Sequence, residues 1–425
     1  MMKYTIEGGH PLKGTVVASG NKNSALPCIA AALLTDEPVL LKNIPEIADV
    51  KVLFTILEKM GSTVTHKGSG EYLIKPNLNT YEVPFDLAAK LRASILLIGP
   101  ILPRMGKVVM SPPGGDVIGR RRLDTHFLAF ESLGAHVEVD GVFTITANKL
   151  VGTEIFLDEA SVTATENAIM SAALSEGTTV IANAASEPHI QDLCHMINAM
   201  GGKITGIGSN MLTIAGVKKL HGCEFEIGSD FMEVGSFIGL AAACKSEIQI
   251  DRANPSHLHM CKIAFGKLGI SWETSGNSIL VRANQPMRIK SDWGGAIPVI
   301  DDAPWPGFPA DLTSIMVVTA TQCEGTIIIH EKMYESRLFF TDKLNSMGAR
   351  IILCDPHRAV ISGISRLHGA ELSSPDVRAG MAMVIAALAA TGESVISNVY
   401  QIERGYQNLA ERLTTLGAKI KRFEE

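Results

Sequence analysis

The chain lacks the cysteine pattern of a disulfide framework or of a zinc site. Its seven cysteines are odd in number and scattered, and no Cys-x-x-Cys pair occurs among the 425 residues. A disulfide scaffold needs paired cysteines and a zinc site needs closely spaced ligands, so both classes are disfavoured. The cysteine usage favours reduced thiols in a cytosolic protein.

The chain also lacks long apolar runs. A membrane-spanning helix needs about 18 or more consecutive apolar residues. The longest apolar stretch, at residues 93–103, contains Gly and Pro and is followed by Arg104. The first residues contain no apolar run of signal-peptide length. We therefore expect a cytoplasmic protein without a membrane partner.

An excess of positive charge is absent as well. Lys and Arg number 38 and Asp and Glu number 44, so the net charge is −6. A chain without a broad basic face is not expected to bind nucleic acid. The composition, 46% hydrophobic and 19% charged, is typical of a folded protein. At about 150 residues per domain, the length predicts two or three domains.

A repeat is the most informative feature that is present. Six times a helix-like segment ends in Leu-Gly or Met-Gly and leads into residues of strand character, at intervals of 67 to 79 residues. A glycine in that place predicts a left-handed residue that ends the helix. The six are Gly61, Gly134, Gly201, Gly269, Gly348 and Gly417.

Each repeat has the pattern strand, helix, strand, helix, strand. Such a unit cannot bury the apolar face of its sheet alone, so several units must pack together. Six units divide naturally into two groups of three. The sequence therefore predicts an α/β protein of two similar domains with a cleft between them.

The first candidate site is the segment Ser-Gly-Asn-Lys-Asn-Ser-Ala-Leu-Pro at residues 19–27, which precedes a helix rich in Ala and Leu. The N-terminus of a helix attracts anions, so Lys22 in this place predicts a phosphate or carboxylate site. The spacing is not that of a Walker A loop. The alternative is an ordinary capped helix with a solvated lysine.

The second candidate is residues 111–126, where three glycines surround Asp116 and an arginine triplet follows at residues 120–122. Glycines make a loop mobile, and guanidinium groups bind anions in a chain that is otherwise acidic. The combination favours an active-site lid over the alternative, a solvated surface turn.

The third candidate is Asp311, which follows a segment with four prolines and precedes an apolar helix. The alternative is that Asp311 only caps that helix. The nearby pair Asp301 and Asp302 has no His or Cys partner at ligand spacing, so we predict no metal site.

The fourth candidate is a set of arginines among small or apolar residues near predicted helix starts. A buried guanidinium is costly unless it is paired with an anion, so the set predicts a ligand with several negative charges. Internal ion pairs, of Arg378 with Asp376 or of Arg404 with Glu403, are the alternative. The set is Arg92, Arg337, Arg378 and Arg404.

Together these segments resemble the enolpyruvyl transferase family over essentially the whole chain. The strongest matches are residues 20–27, 91–94, 113–115, 308–311 and 404–406. The resemblance implies a two-domain inside-out α/β barrel of six βαβαββ-like units, three per domain. It implies one domain at residues 22–229, with a mobile loop at 111–125, and a second domain formed by residues 1–21 and 230–425.

The resemblance also implies an activity. The enolpyruvyl group of phosphoenolpyruvate passes to the 3-hydroxyl of UDP-N-acetylglucosamine and phosphate is released, the first committed step of peptidoglycan synthesis. The partners are these two small molecules, and no metal or organic cofactor is implied. Two alternatives stay open: another acceptor (shikimate 3-phosphate or a nucleotide), or a non-catalytic binding protein of the same fold.

Roles for individual residues follow from the same resemblance. Asp116 would donate a proton to phosphoenolpyruvate and Asp311 would be the base. Lys22, Arg121 and Arg404 would hold phosphoenolpyruvate. Substrate binding would further involve Asn23, Arg92, Arg121, Arg122, Leu123, Asp124, Thr125, Glu159, Ala160, Ser161, Val162, Met333, Arg337 and Arg378.

The chain departs from the family pattern in places. Most members have Cys where Asp116 stands, and that thiol is the target of the epoxide fosfomycin. A carboxylate is a poorer nucleophile, so we expect an active enzyme that resists fosfomycin. Further departures leave the acceptor open, and they are Arg122, Glu159, Thr163, Phe231 and Ala310.

Overall fold

The computed structural model describes residues 2–115 and 122–424. The chain forms two compact units. We call residues 20–115 and 122–228 the Lys22 unit, and residues 2–19 and 229–424 the Asp311 unit. Asp116 and Arg121, and with them the centre of the loop predicted at 111–125, lie outside the described residues.

The elements follow one another in the alternation that the repeat predicts. The strands are β1 (Met2–Glu7), β2 (Lys13–Val17), β3 (Val39–Lys42), β4 (Thr63–Gly68), β5 (Glu71–Lys75), β6 (Lys107–Met110), β7 (His136–Asp140), β8 (Val142–Thr146), β9 (Glu154–Phe156), β10 (Thr178–Ala182), β11 (Ile204–Thr205), β12 (Met211–Ala215), β13 (Glu224–Glu226), β14 (Glu247–Asp251), β15 (Glu273–Ser275), β16 (Ser278–Val281), β17 (Val299–Asp301), β18 (Gly325–His330), β19 (Ile351–Asp355), β20 (Arg358–Gly363), β21 (Glu371–Ser373), β22 (Glu393–Ser397) and β23 (Lys419–Glu424).

The α-helices are α1 (Lys22–Ala31), α2 (Ala48–Lys59), α3 (Phe85–Ala88), α4 (Ile98–Met105), α5 (Asp124–Ser132), α6 (Val162–Ala173), α7 (Pro188–Ala199), α8 (Phe231–Ala243), α9 (His259–Lys267), α10 (Thr313–Thr321), α11 (Thr341–Ser346), α12 (Val377–Ala389), α13 (Tyr400–Glu403) and α14 (Leu409–Thr415). Among the described residues, no helix combines the length and the apolar character that crossing a membrane requires.

Three sheets form in each unit over the described residues. The Lys22 unit has the strand orders β13-β3-β5-β4, β6-β8-β7 and β11-β12-β10-β9. The Asp311 unit has β15-β16-β14-β2, β17-β18-β20-β19 and β21-β22-β1-β23. The sheet β6-β8-β7 is wholly antiparallel. Each of the other five combines antiparallel pairs with one parallel pair. This confirms the prediction of three repeated α/β units in each half.

The six glycines of the repeat all take the predicted backbone conformation. Their φ angles lie between 75° and 109°, in the left-handed region. Each follows a helix, from α2 for the first to α14 for the last, and each precedes a strand. The positive φ ends the helix and turns the chain into the sheet, so the period read from the sequence is the period of the fold.

The core of the Asp311 unit is helical. All residues of α8 and α10 and nearly all of α12 are buried, and these helices pack on one another. The strands around them bury alternate residues only, as in β18. Small residues permit the close helix packing, because a Cβ on Gly239 would lie 2.5 Å from Ile315 Cγ2. Helices inside and sheets outside are the inside-out arrangement that the resemblance implied.

Candidate active site

Asp311 lies between two arginines. It belongs to a 3-10 turn, Ala310–Leu312, that the extended Pro309 leads into. Arg337 Nη2 donates to Asp311 Oδ1 over 2.9 Å, and Arg378 Nε donates to Asp311 Oδ2 over 3.0 Å. The N-cap residue of the following helix α10 is Leu312, so Asp311 does not occupy the N-cap position considered from the sequence. Two guanidinium groups favour the ionised carboxylate.

Asp311 is the accessible member of this group. Its side chain is 27% exposed, whereas those of Arg337 and Arg378 are 4% and 6% exposed. The start of α12 places Arg378, because Asp376 Oδ1 accepts the backbone N–H groups of Arg378 and Ala379. The guanidinium of Arg378 binds Asp311 instead, so the ion pair between Arg378 and Asp376 considered from the sequence is not its main contact.

Arg404 occupies a buried position at the end of α13. Its Nη1 donates to Gln401 Oε1 over 3.0 Å, and the residue is 7% exposed. Its neighbour Glu403 binds Arg422 through both carboxylate oxygens and accepts from Tyr4 OH. Glu403 therefore pairs with Arg422, so the Arg404–Glu403 ion pair considered from the sequence does not account for Glu403.

Glu331 is a buried carboxyl group beside this cluster that sequence reasoning missed. It has no exposed surface, and Arg337 Nε lies 3.9 Å from Glu331 Oε2. Burial raises the pKa of Glu331 to about 9, the nearby Arg337 opposes the shift, and the Asp302 carboxyl adds to it. Burial therefore favours the protonated, neutral form of Glu331 in the folded protein.

Asp302 shapes the segment that carries Met333. Its carboxylate accepts the backbone N–H of Lys332 and, over 3.3 Å, that of Met333. Asp302 is itself 1% exposed, whereas Met333 is an exposed side chain. The segment after β18 is thereby fixed at the point where Glu331 turns inward and Met333 outward.

In the Lys22 unit, Lys22 is the first residue of α1. Asn21 caps this helix by accepting the backbone N–H of Asn23. Lys22 Nζ lies 2.6 Å from Asp49 Oδ2, and the two side chains are 14% and 6% exposed. The alternative of a solvated lysine is wrong. A nearly buried ammonium at a helix N-terminus suits an anion.

The other predicted binding residues of this unit lie near the start of α5 and α6. Arg92 Nη2 donates to Arg122 O over 3.2 Å. Arg122 pairs with Asp124 and Asp158, each at 3.0 Å, and Thr125 Oγ1 donates to Asp158 Oδ1 over 2.7 Å. The departure Arg122 thus has its charge balanced by two carboxylates.

The segment before α6 completes the set of predicted residues. Ser161 caps the helix and its backbone N–H donates to Glu159 O over 2.7 Å. Glu159 is exposed, and Ala160, Ser161 and Val162 are half-buried. Leu123 is half-buried as well. Over residues 2–115 and 122–424, no group of three His, Cys, Asp or Glu side chains could hold a metal ion.

Comparisons with known proteins find relatives that match essentially the whole chain. The EPSP synthase (3-phosphoshikimate 1-carboxyvinyltransferase) family matches residues 6–413. The UDP-N-acetylglucosamine 1-carboxyvinyltransferase of Treponema denticola is 62% identical, with all of both chains covered. The proteins of that name from Treponema pallidum and Borreliella burgdorferi are 61% and 56% identical, with 99% and 100% of both chains covered.

Solved structures share the fold. The enolpyruvyl transferase NikO from Streptomyces tendae matches with a TM-score of 0.88 at 23% identity and covers 99% of this chain and 98% of its own. An EPSP synthase from Acinetobacter baumannii matches with a TM-score of 0.75 at 17% identity, with both chains fully covered. At these identities the likeness concerns the fold alone.

Proposed function

The chain belongs to the EPSP synthase family of enolpyruvyl transferases, and from that membership we propose that it transfers the enolpyruvyl group of phosphoenolpyruvate to the 3-hydroxyl of UDP-N-acetylglucosamine, with release of phosphate. The observation that carries the choice of acceptor is the 62% identity, over all of both chains, to a UDP-N-acetylglucosamine 1-carboxyvinyltransferase. The reaction commits UDP-N-acetylglucosamine to peptidoglycan synthesis.

We propose Asp311 as the base. An ionised carboxylate that is partly exposed can accept the proton of the sugar 3-hydroxyl. The sugar oxygen then bonds to C2 of phosphoenolpyruvate. Arg337 and Arg378 aim the two carboxylate oxygens, which leaves Asp311 little freedom to turn away from its substrate.

The proton balance requires an acid as well. In the proposed reaction Asp116 gives a proton to the methylene carbon C3 of phosphoenolpyruvate while the sugar oxygen bonds to C2. The bond between C2 and the phosphate oxygen then breaks and phosphate leaves, while C3 returns a proton to the Asp116 carboxylate and the double bond between C2 and C3 forms again. Lys22, Arg121 and Arg404 would hold the phosphate and carboxylate of phosphoenolpyruvate throughout.

We also propose that the enzyme is cytoplasmic. All seven cysteines are free thiols, which supports a reducing compartment and therefore the cytoplasm. We propose that the Lys22 unit and the Asp311 unit are the two domains of the family.

A screen of acceptors tests the proposed function. Phosphate release from phosphoenolpyruvate is measured with UDP-N-acetylglucosamine, shikimate 3-phosphate or UMP offered separately, and a reaction without acceptor serves as the blank. We expect release with UDP-N-acetylglucosamine and none above the blank with the other two. Release with shikimate 3-phosphate alone would reassign the acceptor, and no release with any would favour a binding protein.

A further inference from the structure

Tyr406 contacts the arginine that holds Asp311, and the roles assigned so far leave it without a function. It stands two residues after Arg404 and has no exposed surface. Its hydroxyl oxygen lies 3.2 Å from Arg378 Nη1 and 2.7 Å from Ser236 Oγ. Its ring centre lies 5.4 Å from the guanidinium carbon of Arg378, within reach of a cation–π contact.

The hydrogen bonds in this chain of contacts are consistent with one set of directions. A guanidinium group only donates, so the Tyr406 oxygen accepts from Arg378. Either hydroxyl could donate between Tyr406 and Ser236. Because Ser236 donates its hydrogen to Met232 O over 2.8 Å, we assign the phenol hydrogen to Ser236 Oγ. One ordered path therefore runs from the backbone of α8 through Tyr406 to Arg378, which donates to Asp311.

We propose that Tyr406 is a positioning residue for Asp311: its hydroxyl, oriented by Ser236, fixes the guanidinium of Arg378 so that Nε stays directed at the Asp311 carboxylate. This inference rests on the proposed function for the role of Asp311 as base. Phenylalanine would keep the ring and the cation–π contact but would leave one Arg378 N–H without its acceptor in a buried place.

Tyr406 lies on the same turn as Arg404. Residues 404–406 form one turn after α13 that carries Arg404 at one end and Tyr406 at the other. Gly405 between them packs on the start of α12, where a Cβ would lie 2.4 Å from Val377 Cγ1. The same turn thus places a proposed phosphoenolpyruvate ligand and the anchor of the base.

The variant Tyr406→Phe tests the hydroxyl, and Tyr400→Phe is its matched control because Tyr400 lies on the same segment with its ring exposed. We expect kcat of Tyr406→Phe to fall about tenfold, the change that follows from losing one hydrogen bond to a charged group. KM for phosphoenolpyruvate should stay unchanged, because the hydroxyl that is removed contacts Arg378 and Ser236. Tyr400→Phe should match the wild type.

The pH profile separates positioning from a merely structural role. A loosely held Arg378 favours the ionised carboxylate less, so the acid limb of kcat should move to higher pH in Tyr406→Phe and stay in place in Tyr400→Phe. The other charged or titratable groups near the two arginines are unchanged in both variants, and they are Asp230, Asp302, Glu331, Tyr334 and Asp376.

Ser236→Ala provides a second, independent variant. It removes the acceptor of the Tyr406 hydroxyl, so kcat should fall in the same direction. In the double variant Ser236→Ala, Tyr406→Phe no hydroxyl is left to orient, and kcat should be no lower than in Tyr406→Phe alone. If Tyr406→Phe does not fold, Ser236→Ala decides the question.

A measurement that needs no activity distinguishes failure of this inference from failure of the proposed function. The Nε–H of Arg378, observed by 15N NMR, should exchange with water faster in Tyr406→Phe than in the wild type and in Tyr400→Phe. A wild type that releases no phosphate would overturn the proposed function, and the exchange rate would still test Tyr406. Equal exchange rates, or a kcat loss with an unmoved acid limb, would overturn the positioning role.

Discussion

Replacing Glu331 with glutamine should change how the stability of the protein depends on pH. The carboxyl group has no exposed surface and lies between Arg337 and Asp302. Burial, the largest cause, raises its pKa from the ordinary value of 4.5 to about 9. Between these two values the folded chain holds a proton on Glu331 that the unfolded chain has lost.

The magnitude follows from this difference of one proton. The stability contribution is complete below pH 4.5 and is lost as the pH rises through the folded-state pKa near 9. Over that window the free energy of unfolding should fall by about 1.4 kcal/mol per pH unit, or about 4 kcal/mol between pH 5 and pH 8. Glutamine is neutral throughout and should remove this slope.

Urea unfolding of the wild type and of Glu331→Gln at pH 5, 6, 7 and 8 measures the effect. The difference in unfolding free energy should shift in favour of the variant by about 1.4 kcal/mol with each pH unit. Glu335→Gln is the matched control, because Glu335 lies on the same segment with its side chain exposed, and it should follow the wild type. Parallel curves for wild type and Glu331→Gln would refute a protonated Glu331.

Three further predictions concern Lys22, Asp116 and Asp230. Asp49→Asn leaves the nearly buried Lys22 without its ion-pair partner and should cost about 3 kcal/mol in urea unfolding, and phosphoenolpyruvate should stabilise this variant more than the wild type because an anion replaces the lost charge. The wild type should keep full phosphate release after incubation with fosfomycin, whereas Asp116→Cys should lose it with time. Asp230→Ala removes the side chain that caps α8 and should lower the free energy of unfolding by about 1 kcal/mol.

The fold was predictable because its period is local. A glycine that ends a helix needs the left-handed conformation whatever surrounds it, so six such glycines marked six units, and their φ angles confirm it. The grouping of three repeats in each half followed from the need of every repeat to cover the apolar face of its sheet. The register of the strands could not be predicted, because it depends on partners far along the chain, such as β1 with β23.

The site was predictable only in part, because its contacts join distant residues. Asp311 could be identified from the family pattern, but its two arginines lie 26 and 67 residues further along the chain. Glu331 directly follows an apolar strand. A lone carboxylate in that place was the one feature of the sequence that could have indicated a buried acid. The path from Tyr406 to Ser236 spans 170 residues and left no local trace.

The pairing of Arg122 illustrates the same limit. Its sequence position suggested an added positive charge beside the substrate. Asp124, two residues away, could have been considered as a partner, but Asp158 lies 36 residues away and its proximity depends on the fold. Two carboxylates balance the guanidinium, so a charge counted in the sequence is not a charge offered to a ligand.

A single-turnover experiment with Asp311→Asn tests whether Asp311 is the base. Enzyme in excess over phosphoenolpyruvate is mixed with UDP-N-acetylglucosamine, and phosphate release is followed, with Asp301→Asn on the neighbouring exposed carboxylate as the matched control. We expect release to be at least 100-fold slower in Asp311→Asn, the lower range for loss of a general base, and to keep the wild-type rate in Asp301→Asn. Release at the wild-type rate in Asp311→Asn would contradict the role of Asp311 as the base.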